Sequence, residues 1–237
     1  MRLAKYLALS GIASRRRAEA LINKNKVTVN GQLVNKPQYR VSSDDQVVVD
    51  GRLIEGPEEK KYILLNKPGG YISTVLDTHQ RPTVISLIRN ESARLYPVGR
   101  LDYDTTGVIL LTNDGELAYR LTHPRYGVNK EYQVLVKGKP GRQAIEALLN
   151  GLTIDNTKTA PAKVKILKSD NVSSLLLITI REGKKRQVKK MCAAIGHPVI
   201  KLDRVSFAGL RYDKVERGNY RYLSSSETSR LYKLVGL

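Results

Sequence analysis

Apolar residues recur at helical spacing in residues 3–9 (LAKYLAL) and again in residues 18–22 (AEALI), with the turn-forming Ser10-Gly11 and Ser14 between them. Beyond Lys26 the period changes. Residues 26–30 (KVTVN) alternate polar and apolar, Asn30-Gly31 is a pair favoured in tight hairpin turns, and Gln32-Leu33-Val34 resumes a strand. Residues 44–51 (DDQVVVDG) predict another strand, ending in a second turn pair, Asp50-Gly51. The proline, glycine and charge of residues 56–61 (GPEEKK) punctuate the chain like a linker. The expected organisation is a first domain over 1–56, a linker over 57–61 and a second domain over 62–237.

In the second domain the pattern predicts strands at 62–66 (YILLN), 108–112 (VILLT), 131–136 (EYQVLV), 162–167 (AKVKIL) and 175–180 (LLLITI). Helical patterns occupy 115–121, 142–149 and 187–195. Strands and helices follow one another without regular alternation. The expected fold class is therefore α+β: a small helix-and-hairpin domain, then a larger domain with a mixed, largely antiparallel sheet flanked by helices.

Charge changes the picture more than composition does. The chain has 237 residues, with 41 Lys and Arg against 22 Asp and Glu, a net charge of +19. A surplus that large points to a polyanionic partner. No apolar run approaches the length of a membrane span, and the first residues lack the features of a signal peptide, so the expectation is a cytoplasmic protein with no membrane partner. Cys192 is the single cysteine, which excludes an internal disulfide and a cysteine-based zinc site. His79, His123 and His197 are too scattered to suggest a metal cluster.

Ser14 is placed to cap a helix whose first turn would hold Arg15, Arg16 and Arg17. Cations there oppose the helix dipole at roughly 0.3–1 kcal/mol each, a cost that makes sense if a phosphate sits on the free N–H groups. A solvated basic turn is an equal alternative on these residues alone. The run from Leu3 through Tyr6-Leu7 and Ser14-Arg15-Arg16 to Val27-Thr28-Val29-Asn30-Gly31 resembles the small RNA-binding module of ribosomal protein S-four. That resemblance implies RNA binding by about residues 2–50 and says nothing of chemistry.

The segment Gly99-Arg100-Leu101-Asp102-Tyr103-Asp104-Thr105-Thr106-Gly107 reads, by itself, as a polar turn before a strand, or as a pair of carboxylates able to hold a divalent cation. Together with Leu110-Leu111-Thr112-Asn113-Asp114-Gly115 it is similar to the signature motif of pseudouridine synthases, in the branch that modifies ribosomal RNA. Asn66-Lys67-Pro68-Gly69-Gly70 resembles that family's first motif. Lys130-Glu131-Tyr132 resembles its tyrosine-bearing strand, and residues 181–191 (REGKKRQVKKM) its last basic motif, with Lys184 where arginine is usual.

The resemblance implies a cofactor-free isomerisation of uridine to pseudouridine. Asp102 would act on the ribose as nucleophile or base, Lys189 would be its basic partner, and Tyr132 would stack on the uracil. Arg100 would hold RNA where the base is extruded, and Leu202 would line the base pocket. Residues 181–204 hold eight basic residues against two acidic ones. They fit a phosphate-tracking channel that includes Lys184, Lys185, Arg186 and Gln187. The expected partner is a structured stem-loop of ribosomal RNA or a pre-ribosomal particle, with no small-molecule cofactor, no metal and a monomeric enzyme. Residues 103–124 favour the large-subunit rRNA enzymes over the small-subunit ones. Two rivals stand beside this reading: a non-catalytic rRNA-binding or ribosome-assembly factor, and a metal-dependent nuclease built on Asp102 and Asp104.

Overall fold

The computed structural model describes every residue from Met1 to Leu237 and falls into two compact units. The first is Met1–Lys61 with Glu91–Leu95; the second is Tyr62–Asn90 with Tyr96–Leu237.

The first unit contains α1 (Leu3–Leu9), α2 (Arg15–Asn23), β1 (Val27–Val29), β2 (Gln32–Leu33), β3 (Val47–Val49) and β4 (Arg52–Leu53). The strands form an antiparallel sheet in the order β2-β1-β3-β4. Asn30-Gly31 and Asp50-Gly51 join the two hairpins, all four residues having positive φ, the backbone that two-residue hairpin loops demand. Leu3, Leu7, Ala18 and Ile22, each pair four residues apart on one helix face, pack with Val27, Val29, Val47 and Val49 into one core. α2 starts three residues before its apolar pattern. Ser14 caps it by accepting from the Arg17 N–H at 3.3 Å, and Arg15, Arg16 and Arg17 are all exposed.

The second unit runs β5 (Tyr62–Lys67), β6 (Tyr96–Pro97), β7 (Thr106–Thr112), α3 (Gly115–Thr122), β8 (Lys130–Lys137) and α4 (Arg142–Asn150). There follow the short hairpin β9 (Thr153–Ile154) and β10 (Thr157–Lys158), then β11 (Lys163–Ser169), β12 (Ser173–Ile180) and α5 (Gln187–Ala194). β13 (Val199–Phe207), β14 (Leu210–Arg211), β15 (Tyr220–Tyr222) and α6 (Ser225–Leu234) complete it. The main sheet has the order β11-β12-β8-β13-β7-β5-β15, with β14 on β13 and β6 on β7. Every pairing in it is antiparallel except β13 with β7, so the sheet is mixed and largely antiparallel, as expected.

β5 and β7 are neighbours inside the sheet and are buried on both faces, which is why they read as unbroken apolar runs. β8 and β12 alternate buried and half-exposed residues and so present one face inward. Leu64, Val108 and Leu110 from the sheet pack against Leu117 and Leu121 of α3 and Leu231 of α6. The hydrophobic pattern did not foretell β13, β15 or α6. β13 carries charges at two successive positions, Asp203 and Arg204, and α6 buries only Leu231, its start being set by a Ser224–Glu227 capping box.

The single parallel pairing brings Gly107 of β7 against Arg204 of β13. Gly107 has φ +105, and a Cβ there would lie 2.3 Å from the Arg204 carbonyl oxygen and 2.7 Å from its nitrogen. Both atoms are backbone and cannot swing aside. Gly107→Ala is expected to cost about 2–5 kcal/mol, from strain and overpacking together. A thermal melt should show this as a drop of roughly 5–15 °C, and an unchanged melting temperature would mean the two strands are not locked at this point.

Candidate active site

Asp102 sits in the turn between β6 and β7, and that turn is held from below by Lys67. Lys67 ends β5 and is fully buried. Its ammonium donates to the carbonyls of Thr105 at 2.8 Å, Pro68 at 3.0 Å and Asp102 at 3.1 Å, with Tyr103 at 3.4 Å. Burial pushes its pKa down to about 8, opposed by the charges of Asp104 and Asp102. Further ties fix the loop. Ser73 Oγ donates to the Leu101 carbonyl at 2.9 Å and accepts from the Leu101 N–H at 3.0 Å. The Gly70 N–H donates to the Tyr103 carbonyl at 2.8 Å, so the Pro68-Gly69-Gly70 turn lies beside the Asp102 loop. The Thr105 N–H donates to the Asp102 carbonyl at 3.1 Å and closes the Asp102 turn on itself.

The far end of the same loop is clamped to β13. Thr106 Oγ1 donates to Asp203 at 2.5 Å, and Asp203 also accepts from Tyr212 at 2.7 Å and Arg217 at 2.8 Å. Burial acts to raise the Asp203 pKa, but these three donors outweigh it and hold the carboxyl below the usual range.

Lys189, on the first turn of α5, reaches this loop. Its Nζ is 2.5 Å from Asp104 Oδ1 and 3.7 Å from Asp102 Oδ2. The expected partner of Asp102 is thus shared, with the closer contact to Asp104, whose carboxyl the Lys189 hydrogen bond holds below its ordinary value.

Asp102 opens onto a cavity of about 820 Å³. Its floor is one face of the sheet. Strand register sets Ile180 opposite Lys130 on β12 and β8, and Tyr132 opposite Arg204 on β8 and β13, so Lys130, Tyr132, Leu202 and Arg204 share a face. Tyr132 and Leu202 are buried in that floor, while Arg100 is exposed at the cavity's edge. Asp102, Tyr132, Leu202 and Arg100 therefore all line one space.

The basic segment divides into outer and inner residues. Lys185 and Arg186 are exposed and line the cavity, Arg186 in the left-handed conformation that starts α5. Lys184 is tied by its ammonium to the Lys158 carbonyl at 2.8 Å. Gln187 and Arg204 depart from the expected phosphate-tracking surface. Gln187 is buried, its side chain accepting from the Lys184 N–H at 2.9 Å and donating to Glu182 at 2.6 Å, because the loop needs an internal brace where it enters the helix. Arg204 is only 2% exposed. Arg15, Arg16 and Arg17 belong to the first unit and are not part of this cavity. The sequence reading missed the work of Lys67, Ser73 and Asp203. Lys67 lies within a recognised motif, but its role depends on carbonyls far along the chain, which no local pattern records.

Comparison with known proteins places the chain in a family. The family described as RNA pseudouridylate synthase matches residues 61–194, and the S4 domain matches residues 1–47. The chain is 45% identical to the "Ribosomal large subunit pseudouridine synthase B" of Bacillus subtilis, over 98% of this chain and 96% of that one. It is 39% identical to an "Uncharacterized RNA pseudouridine synthase" of Aquifex aeolicus, over 100% of this chain and 96% of the relative. A solved structure described as "Crystal structure of pseudouridylate synthase" superposes with a TM-score of 0.70 at 32% identity, covering 98% of this chain and 99% of that one. With a loop-borne aspartate over a tyrosine-floored cavity and these relatives along nearly its whole length, the chain belongs to the RNA pseudouridylate synthase family.

Proposed function

We propose that this protein isomerises one uridine of large-subunit ribosomal RNA to pseudouridine, with Asp102 acting on the ribose. The observation that carries the reading is the setting of Asp102: a carboxylate on a turn braced from below by Lys67, 3.7 Å from the Lys189 ammonium, and opening onto the cavity floored by Tyr132 and Leu202. The large-subunit assignment rests on the 45% identity to the Bacillus subtilis enzyme.

The reaction breaks the bond between ribose carbon-1′ and uracil nitrogen-1, turns the base, and joins carbon-5 to carbon-1′; carbon-5 loses its proton and nitrogen-1 gains one, so the product is an isomer. Asp102 serves either by attacking carbon-1′ or by taking the carbon-2′ proton, and both roles use the carboxylate. Lys189 compensates its charge while Asp104 competes for the same ammonium. Tyr132 offers the uracil a flat apolar face. Arg100, Lys185 and Arg186 meet phosphates at the rim, and Arg15, Arg16 and Arg17 grip the RNA from the first domain.

Asp102→Asn is nearly isosteric and should cut single-turnover rates by about 10³-fold or more, while RNA affinity stays within about twofold because phosphate contacts supply most of it. The assignment fails if the Asn variant, checked for deamidation, turns over within tenfold of the parent protein.

Lys189→Met should lower turnover by about tenfold or more, and Lys189→Arg by much less, since the charge beside Asp102 is what matters. Equal turnover of the two variants would reduce Lys189 to a surface lysine.

Changing Arg15, Arg16 and Arg17 together to Gln should flatten the slope of log affinity against log salt by about two units, roughly 0.7–0.9 for each lost phosphate contact. Melting temperature should hold or rise, because the change relieves cations at a helix start. An unaltered salt slope would show that these arginines face solvent in the complex.

A further inference from the structure

Arg204 is a buried charge that the protein leaves uncompensated. It stands on β13 opposite Tyr132, shares the sheet face of Lys130 and Leu202, and lines the same cavity as Asp102. Its Nε donates to the Val108 carbonyl at 2.8 Å, and its guanidinium carbon lies 4.8 Å from the centre of the Phe207 ring. Its Nη2 has no hydrogen-bond partner, although the residue is only 2% exposed. The buried Lys67 and the cavity's two carboxylates are provided for. Lys67 has its carbonyls, Asp77 has Arg81, and Asp102 has Lys189.

A buried cation with an idle N–H is strongly disfavoured unless an anion visits it. Lys130 adds to the demand. It is also buried on the cavity floor, two residues from Tyr132, and donates only to the carbonyls of Val128 at 2.9 Å and Arg181 at 3.4 Å. Burial, and then the neighbouring charge of Arg204, push the Lys130 pKa down to about 8.

A backbone phosphate does not suit this place. Phosphates stay on the outside of an extruded nucleotide, where Arg100, Lys185 and Arg186 are exposed. What enters a deep pocket is the base. When the bond from carbon-1′ to nitrogen-1 breaks, the electron pair stays with uracil, and the negative charge spreads over nitrogen-1 and the two carbonyl oxygens. Asp102 meanwhile either bonds carbon-1′ and is displaced when carbon-5 joins it, or holds the carbon-2′ proton and returns it at that point; carbon-5 then loses its proton and nitrogen-1 gains one. The step needs no oxidant and no second reactant.

We propose that Arg204 stabilises the uracil anion during this step and, being a pure donor, selects uracil against cytosine. Cytosine carries an amino group in place of one of uracil's carbonyl oxygens, which would set donor against donor. The inference rests on the proposed uridine isomerisation. It explains why the parallel pairing at Gly107 holds the Arg204 backbone so closely: the charge must stay in register with Tyr132 beneath the base.

The test is a leaving-group comparison with an rRNA fragment that the unaltered protein modifies, carrying uridine, 5-fluorouridine or cytidine at the target position. Loss of the starting nucleotide is followed in single turnover at saturating protein. Fluorine makes the departing base a weaker base, so it needs less help to leave. Arg204→Met should slow uridine by about 10²-fold, the effect of removing one preorganised donor, but 5-fluorouridine by at least tenfold less. Arg204→Lys should fall between the parent and the Met variant, and it supplies the same uridine-to-fluorouridine ratio if the Met variant does not fold. RNA affinity and its salt dependence should not change.

Equal slowing of both substrates would make Arg204 a structural residue, and a flattened salt slope would make it a phosphate contact; either overturns the inference while leaving uridine isomerisation intact. Unaltered protein that consumes cytidine as fast as uridine would overturn the selectivity. Unaltered protein that consumes no rRNA uridine would remove the functional reading and this inference with it.

Discussion

The ammonium of Lys67 lies in the interior with the carbonyls of Pro68, Asp102, Tyr103 and Thr105 gathered around it, and the geometry of the site follows from that one cluster. A polar turn rich in Asp and Thr has many conformations open to it. Here its carbonyls are drawn inward onto a single charge, with Asp102 lining the cavity and Tyr103 and Asp104 exposed, while Thr105 stays buried. The lysine is costly to bury, which its lowered pKa reports, and the carbonyls offset that cost only while the turn keeps this shape. Lysine and turn therefore hold each other in place.

The second constraint is the meeting of β7 and β13. An otherwise antiparallel sheet is joined at one parallel pairing, and there a glycine lets backbone approach backbone. The same contact passes the loop's exit to Asp203, which takes hydrogen bonds from Thr106, Tyr212 and Arg217. The Asp102 turn is thus tied at its entrance by Ser73, from beneath by Lys67 and at its exit by Asp203. A group meant to act on one ribose carbon has to be held with little freedom, since small displacements are expensive in rate.

The electrostatics of the second unit have two layers. Exposed cations at the rim, such as Lys185 and Arg186, are solvated and suited to phosphates, whose contacts weaken with salt. Arg204 and Lys130 on the cavity floor are shielded from water, so their fields reach farther and are much less screened. A net charge of +19 counts both layers alike, although the outer one faces solvent and the inner one faces only what enters the cavity.

Local pattern carried much of the fold. The period of apolar residues located both helices and the hairpins of the first unit, and the strands at 62–66, 108–112, 131–136 and 175–180, because burial on one face or both leaves its own rhythm in the chain. Motif order pointed to Asp102, Tyr132, Lys189 and Leu202, and these do meet at one cavity or its edge. Pattern failed where side chains serve distant partners. β13 breaks its alternation to hold Asp203 and Arg204, and Gln187, read as an outward-facing residue of a basic segment, turns inward to brace a loop. Lys67 looked like one more basic residue in a turn motif. Tertiary structure decided these cases, because the energy of a buried charge or amide depends on which groups the whole fold brings within hydrogen-bond distance, and that distance is not written in neighbouring residues.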